Sequence, residues 1–238
     1  MPSIQLVAFD LDGTLVDSMP DIVHAVDSMV RKLSSPLPDA DRVREWVGDG
    51  VRRLVERALT GTQDGEPDAA LYRRGLEAFR HAYAAHIAVD TRVYPGVREV
   101  LDQLQDAGVH MACITNKSAE FTEPLLNALN LRDYFGVVLS GDSLAQRKPD
   151  PLPLLHAAGH FKIAPSQACM VGDSRNDLLA ARAAGFRAIG VRYGYGGGLA
   201  DLKPDAMLDS LTELPPLLEK WSAGLAGVSG RRNHHTRG

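Results

Sequence analysis

The stretch VAFDLDGTLVDS, residues 7–18, decides how this chain is read. Val7, Ala8 and Phe9 end a short apolar run that begins near Ile4. Such a run is the signature of a strand buried on both faces. It stops at two carboxylates, Asp10 and Asp12, followed by Gly13 and Thr14. A carboxylate at the end of a buried strand is costly unless a cation faces it. The remaining sequence must supply that cation.

Four further apolar runs read as buried strands: Val109 to Ile114, Val137 to Leu139, Ala168 to Val171 and Ala188 to Val191. Helical patterns separate them. PGVREVLDQLQDAG places Val97, Val100, Leu101 and Leu104 on one face, and Gly108 stops it. NDLLAARAAG repeats the design with Gly185. In DPLPLLHAAGH, Asp150 suits an N-cap and Pro151 a first helical residue. Pro124 interrupts the pattern after Ser118, so that helix is expected to start late or kink. Strand and helix alternate as in an α/β, doubly wound parallel sheet of the Rossmann-like type.

Residues 18–90 break the alternation, because only helical spacing is found there. Ile22, Val26, Met29 and Leu33 mark its first helix. The expected organisation is a core of residues 1–17 and 91–225, an all-helical insert over 18–90 lying above the carboxyl edge of the sheet, and a disordered tail over 226–238.

Composition narrows the function. The chain has 238 residues and a net charge of −4, which argues against non-specific nucleic-acid binding. No stretch has the ~18–20 apolar residues of a membrane span, and no signal peptide is read. Cys113 and Cys169 lie in apolar runs, as free cysteines of a reducing cytoplasm do.

Ligands of an open parallel sheet bind at the carboxyl ends of its strands. Here those ends carry Asp10 to Thr14, then Thr115 and Asn116, then Lys148 after the third strand, and finally the GDSRND of Gly172 to Asp177. In this order the four segments resemble the four motifs of the haloacid dehalogenase superfamily. DLDGT is similar to the first, Thr115 to the second, Lys148 to the third and GDSRND to the fourth. The helical insert matches the family's cap in position. Within the superfamily, DLDGTLVDSMPDI, VGDGVRRLVERAL and VGDSRNDLLAARAAG are most similar to bacterial enzymes acting on 2-phosphoglycolate.

The resemblance implies a mechanism. Asp10 would be the nucleophile and form an aspartyl phosphate. Asp12 would be the general acid and then the base. A two-residue step along an extended strand returns to the same face, with Leu11 turned into the core. Thr14 would hold the turn after Gly13. Thr115, the backbone at Asn116 and Lys148 would bind phosphoryl oxygens. Asp10, the main-chain carbonyl of Asp12 and Asp173 would hold Mg²⁺. Asp177 would orient Lys148 or a metal-bound water, or else only start a helix. The implied substrate is a small phosphorylated metabolite, 2-phosphoglycolate first. A sugar-phosphate phosphatase and a phosphomutase are the alternatives.

Electrostatics agrees. Two like charges ~4 Å apart repel by about 4 kcal/mol at an effective dielectric near 20. Asp10, Asp12 and Asp173 together therefore call for a divalent cation and Lys148. Three other features read differently. Lys117 reads as the solvent-exposed start of a helix. GYGGG (194–198) reads as a flexible loop. Arg52 and Arg175 are weaker candidates, Arg52 for a substrate carboxylate.

Overall fold

The computed structural model describes residues 4–223; the tail expected over 226–238 lies outside them. In chain order the elements are β1 (Leu6–Phe9), β2 (Val16–Asp17), α1 (Met19–Lys32), α2 (Ala40–Trp46), α3 (Val51–Thr60), α4 (Ala69–Ala85) and β3 (Arg92–Val93). Then follow α5 (Val97–Asp106), β4 (His110–Ile114), α6 (Ala119–Ala128), β5 (Val137–Leu139), α7 (Leu152–Phe161), β6 (Ala168–Gly172), α8 (Arg175–Ala184), β7 (Arg187–Val191), β8 (Ala206–Leu208) and α9 (Leu214–Ala223).

Six strands form one parallel sheet in the order β5-β4-β1-β6-β7-β8. From β1 the chain steps outward to β4 and β5, then returns to lay β6 on the other side of β1. The direction of winding therefore reverses at β1 and β6. A crevice opens at such a switch point. Asp10 follows β1 and Asp173 follows β6, so the acids of the first and fourth motifs flank that crevice.

Strand periodicity explains the continuous apolar runs. Val7 and Phe9 enter one core with Val97, Val100, Leu101 and Leu104 of α5. Leu6 and Ala8 enter the other, against Leu154 of α7 and Leu178 of α8. Both faces are covered, so no polar alternation is needed.

The helices α1 to α4 pack around a third core that includes Ile22, Val26, Met29, Trp46, Leu54 and Phe79. Phe121 of α6 joins this core from the sheet side. The helices thus lie on the sheet's carboxyl edge.

Several local expectations are corrected. β8 and the antiparallel pair β2–β3 are too short to leave a periodic signal. Pro124 lies inside α6, which runs through it from Ala119. Pro151, not Asp150, holds the N-cap position of α7, and the Asp150 carboxylate accepts from Leu152 N at 2.9 Å.

Asp21 fastens the helical insert at its base. Its buried carboxylate accepts from Asp90 N and Thr91 N (2.9 Å each), from Thr91 Oγ1 (2.6 Å), and lies 3.0 Å from His86 Nδ1. Burial resists its charge, but these donors outweigh burial and hold its pKa below the usual carboxylate range. An amide in Asp21→Asn would set an NH₂ against groups that are already donors. The expected loss is about 2–4 kcal/mol, read as a lowered Tm at pH 7. Because the folded pKa is depressed, Asp21 stabilises the fold above the ordinary carboxylate value, and that contribution is lost as pH falls through the folded value. The gap between wild type and Asp21→Asn should therefore narrow in acid. An unchanged Tm would remove Asp21 as the fastening.

Candidate active site

The loop after β1 is wound tightly. Leu11 O accepts from Leu15 N and Val16 N, and Gly13 N donates to Val16 O at 2.8 Å. Gly13 has φ +83°, and a Cβ there would lie 2.3 Å from Asp173 Oδ2. Only glycine lets this loop approach the end of β6 so closely. Leu11 is fully buried in the core, while Asp10 and Asp12 face a common cavity.

The cation demanded by Asp10 is Lys148. Its Nζ lies 2.9 Å from Asp10 Oδ1 and 2.6 Å from Asp177 Oδ1, and it donates to Ile114 O. Lys148 is only 2% exposed. Burial opposes its charge, yet Asp10 and Asp177 hold its pKa above the normal lysine value.

Asp177 performs both tasks that its sequence position left open. Its Oδ2 accepts from Ser174 N (2.9 Å) and Ser174 Oγ (2.6 Å), closing a capping box at the start of α8. Its Oδ1 is turned to Lys148 but receives no well-directed hydrogen bond. Asp173 Oδ1 accepts from Thr14 Oγ1 at 3.2 Å, so Thr14 holds an acid as well as the turn. Asp173 Oδ2 accepts from Tyr195 N (2.7 Å) and Gly196 N (3.2 Å). The GYGGG segment, expected as a flexible loop, is therefore a wall of the site. Tyr195 OH also accepts from Ser18 N at 2.6 Å and bonds Asp17 Oδ1 at 2.9 Å.

Lys117 corrects the sequence reading most. It does not begin a helix in solvent. Its Nζ lies 3.0 and 3.1 Å from the two Asp12 oxygens and donates to Tyr83 OH at 2.7 Å. Burial opposes its charge, but Asp12 and Tyr83 raise its pKa. Ser18 Oγ donates to the same carboxylate. A lysine after Thr-Asn has no local signal for this, because Tyr83 arrives from α4.

Thr115 and Asn116 are buried and line the cavity. Thr115 Oγ1 accepts from Lys117 N at 3.2 Å. The Asn116 amide donates to Gly48 O and Lys148 O at 2.9 Å each, so this side chain ties the loop before α3 to the lysine loop. Asn176 donates to Gly48 O (3.2 Å) and Asp49 Oδ1 (3.0 Å). Asp49 in turn pairs with Arg57 at 2.7 Å. The cavity beneath, about 270 Å³, has Asp10, Asp12, Thr115 and Lys117 on the sheet side and Leu54, Phe79 and Tyr83 on the helical side. Arg52 does not reach it; its side chain is 71% exposed and pairs with Glu56 at 2.8 Å. Arg175 is exposed at the start of α8.

Carboxylate oxygens of Asp10, Asp173 and Asp177 lie within 4.8 Å of one another, and all three residues are buried. One ammonium, Lys148, opposes three carboxylates. Burial and then Asp177 raise the pKa of Asp10, against the pull of Lys148. Burial and then Asp177 raise that of Asp173, against the Tyr195 and Gly196 amides. The pocket is short of positive charge, has only oxygen donors and includes one under-satisfied oxygen. That set fits a hard divalent cation. The Asp12 side chain stays outside the cluster, engaged by Lys117. The other acidic group, Asp21, His86 and Asp90, is accounted for by the hydrogen bonds that fasten the insert.

Comparison with known proteins agrees with this geometry. A model of the haloacid dehalogenase-like hydrolases matches residues 4–185. The phosphoglycolate phosphatase of Nitrosococcus oceani is 46% identical over 91% of this chain and 97% of its own. That of Nitrosospira multiformis is 47% identical over 92% and 97%. A crystal structure of a predicted phosphoglycolate phosphatase from Haemophilus somnus superposes with a TM-score of 0.86 at 32% identity, covering 91% of this chain and 99% of that one. CbbY of Rhodobacter sphaeroides, crystallised with phosphate, gives 0.76 at 28% identity, over 89% and 96%. With its four strand-end motifs gathered at one switch point and the family model spanning most of its length, the chain belongs to the haloacid dehalogenase-like hydrolases.

Proposed function

We propose that this protein is a Mg²⁺-dependent phosphomonoesterase that converts 2-phosphoglycolate and water to glycolate and phosphate. The observation that carries the chemistry is the pairing of Asp10 with buried Lys148 at 2.9 Å, with Asp12 on the same face one step further along. The relatives named for this activity, at 46 and 47% identity over nearly their whole lengths, support the substrate.

An Asp10 oxygen attacks phosphorus, and the bond to the ester oxygen breaks. Asp12 gives that oxygen its proton, and glycolate leaves. A water then attacks the aspartyl phosphate, gives a proton to Asp12 and releases phosphate and Asp10. Lys117 and Ser18 fix the position of the Asp12 carboxylate for both halves of the reaction. Thr115, the Asn116 backbone and Lys148 bind the phosphoryl oxygens. Asp10, Asp173 and the Asp12 carbonyl would hold Mg²⁺, with Asp177 beside them. The ion supplies neutralisation of charge on the transferring group. The apolar helical side, with Leu54 and Phe79, keeps bulk water away.

The buried free thiols of Cys113 and Cys169 suit a reducing cytoplasm. No helix among the described residues is long and apolar enough to cross a membrane.

Phosphate release from a panel of esters tests the reading. The panel holds 2-phosphoglycolate, hexose phosphates and an amino-sugar phosphate, each with Mg²⁺ and with chelator. Expected is Mg²⁺-dependent release with 2-phosphoglycolate preferred by at least about tenfold. Preference for a sugar phosphate would replace the substrate and keep the chemistry. Isomerised product without net release would make the chain a mutase.

A further inference from the structure

The arginines near the cavity are not equivalent. Five lie between residues 42 and 57. Arg42 donates to Gly61 O at 2.8 Å. Arg52 and Arg53 share Glu56 at 2.8 Å each. Arg57 is buried and bonds Trp46 O, Gln63 O and Asp49. Arg44 differs. Among the described residues its guanidinium makes no hydrogen bond and no ion pair, while its backbone carbonyl accepts from Val47 N at the end of α2. Its guanidinium carbon lies 5.6 Å from the centroid of the Tyr195 ring.

Its placement is built, not incidental. Val43 and Trp46 are buried in the core of the helical insert, which sets the rotation of α2. Arg57 holds the carbonyl of Trp46 at 3.0 Å and so fixes the end of that helix. Tyr195 is anchored below through Asp173, Ser18 and Asp17. Arg44 thus lines the cavity that contains Asp10. Lys117, also on the wall, is spent on Asp12. Glu45 lines the wall too, and Arg44 makes no pair with it. Attraction to a ring face uses the charge of a guanidinium and leaves its N–H donors for another acceptor.

We propose that Arg44 is the receptor for the carboxylate of the substrate, across the cavity from the phosphoryl site, and so sets the preference for carboxylate-bearing phosphoesters. This rests on the reading that the cavity takes 2-phosphoglycolate. The phosphate end is served by Lys148 and Thr115. The other end carries a planar anion, and a guanidinium offers that shape two parallel donors. Arg52, the candidate from sequence, is paired with Glu56 and does not line this cavity.

The test compares 2-phosphoglycolate with 2-hydroxyethyl phosphate, in which a CH₂OH replaces the carboxylate. The measured quantity is the ratio of kcat/KM for the two esters, in wild type, Arg44→Gln and Arg44→Lys, at saturating Mg²⁺. Arg44 is exposed, and circular dichroism checks that each variant is folded. Wild type should favour the carboxylate. Arg44→Gln should lower the ratio about 10- to 100-fold, mostly through KM for 2-phosphoglycolate, and Arg44→Lys should restore part of it. A purely structural role would move both esters together and leave the ratio unchanged. That result, with wild type still favouring the carboxylate, overturns the assignment of Arg44 and leaves the substrate reading intact. A wild-type ratio near one overturns the substrate reading, and this assignment with it.

Discussion

Asp10→Asn should lower phosphate release from any substrate by a factor on the order of 10⁴ or more. An amide oxygen is not a usable nucleophile at phosphorus, and no other carboxylate can take its place. Asp12 is held by Lys117 and Ser18, Asp173 by Thr14 and two backbone amides, and Asp177 by its cap and Lys148. The fold should survive. Asp10 is crowded by Asp177 and Asp173, so removing its charge relieves repulsion in the metal-free protein. In chelator the Tm of Asp10→Asn should equal or exceed that of wild type, although Lys148 loses one of its two partners. Turnover within a hundredfold of wild type would refute the nucleophile. A Tm lowered in chelator would refute the crowding.

Lys148→Met should lower activity about 10³-fold and also destabilise the protein. Methionine keeps most of the volume and removes the ammonium. Asp10 and Asp177 then lie buried without their shared cation. Removing one partner of a buried ion pair costs about 3–5 kcal/mol, because the other charge is left uncompensated. Removing a preorganised charge on a transferring phosphoryl group costs catalysis on the same scale as removing an oxyanion-hole donor. The two effects separate on addition of Mg²⁺. The ion is expected to restore much of the Tm, since the carboxylates regain a positive neighbour, while the activity stays low. Activity within tenfold of wild type would show that Lys148 supports the fold and does not act on the phosphoryl group.

The sheet was legible because its information is local. Five strands declare themselves by continuous apolar runs, and Val97, Val100, Leu101 and Leu104 show the face of α5 directly. β8 and the β2–β3 pair were not legible, because two or three residues carry no period. The acids of the site could be read from strand ends, since the ends of parallel strands must meet at one edge. Lys148 could be named only because Asp10 demands a cation and the third motif supplies a lysine.

The helical insert shows the limit. Its helices were visible from spacing, but which side faced the cavity was not. Arg52 and Arg44 are equally plausible as letters in a chain. Only the packing of Val43 and Trp46, and the Glu56 partner of Arg52, separates them. Lys117 and the GYGGG loop were misread for the same reason. Each is defined by a partner far along the chain: Asp12 and Tyr83 for Lys117, Asp173 for Tyr195.

By itself, then, the sequence determined the α/β alternation, the four strand-end motifs and the face shared by Asp10 and Asp12. These follow from residue period and strand geometry, which act over a few positions. The tertiary structure alone decided that Lys117 binds Asp12, that Tyr195 closes the site over Asp173, that Asp21 fastens the insert, and that Arg44 lines the cavity. Those contacts depend on how whole helices are rotated and docked. Docking is settled by the burial of side chains such as Trp46 and Phe79 in a common core, not by any neighbour in the sequence.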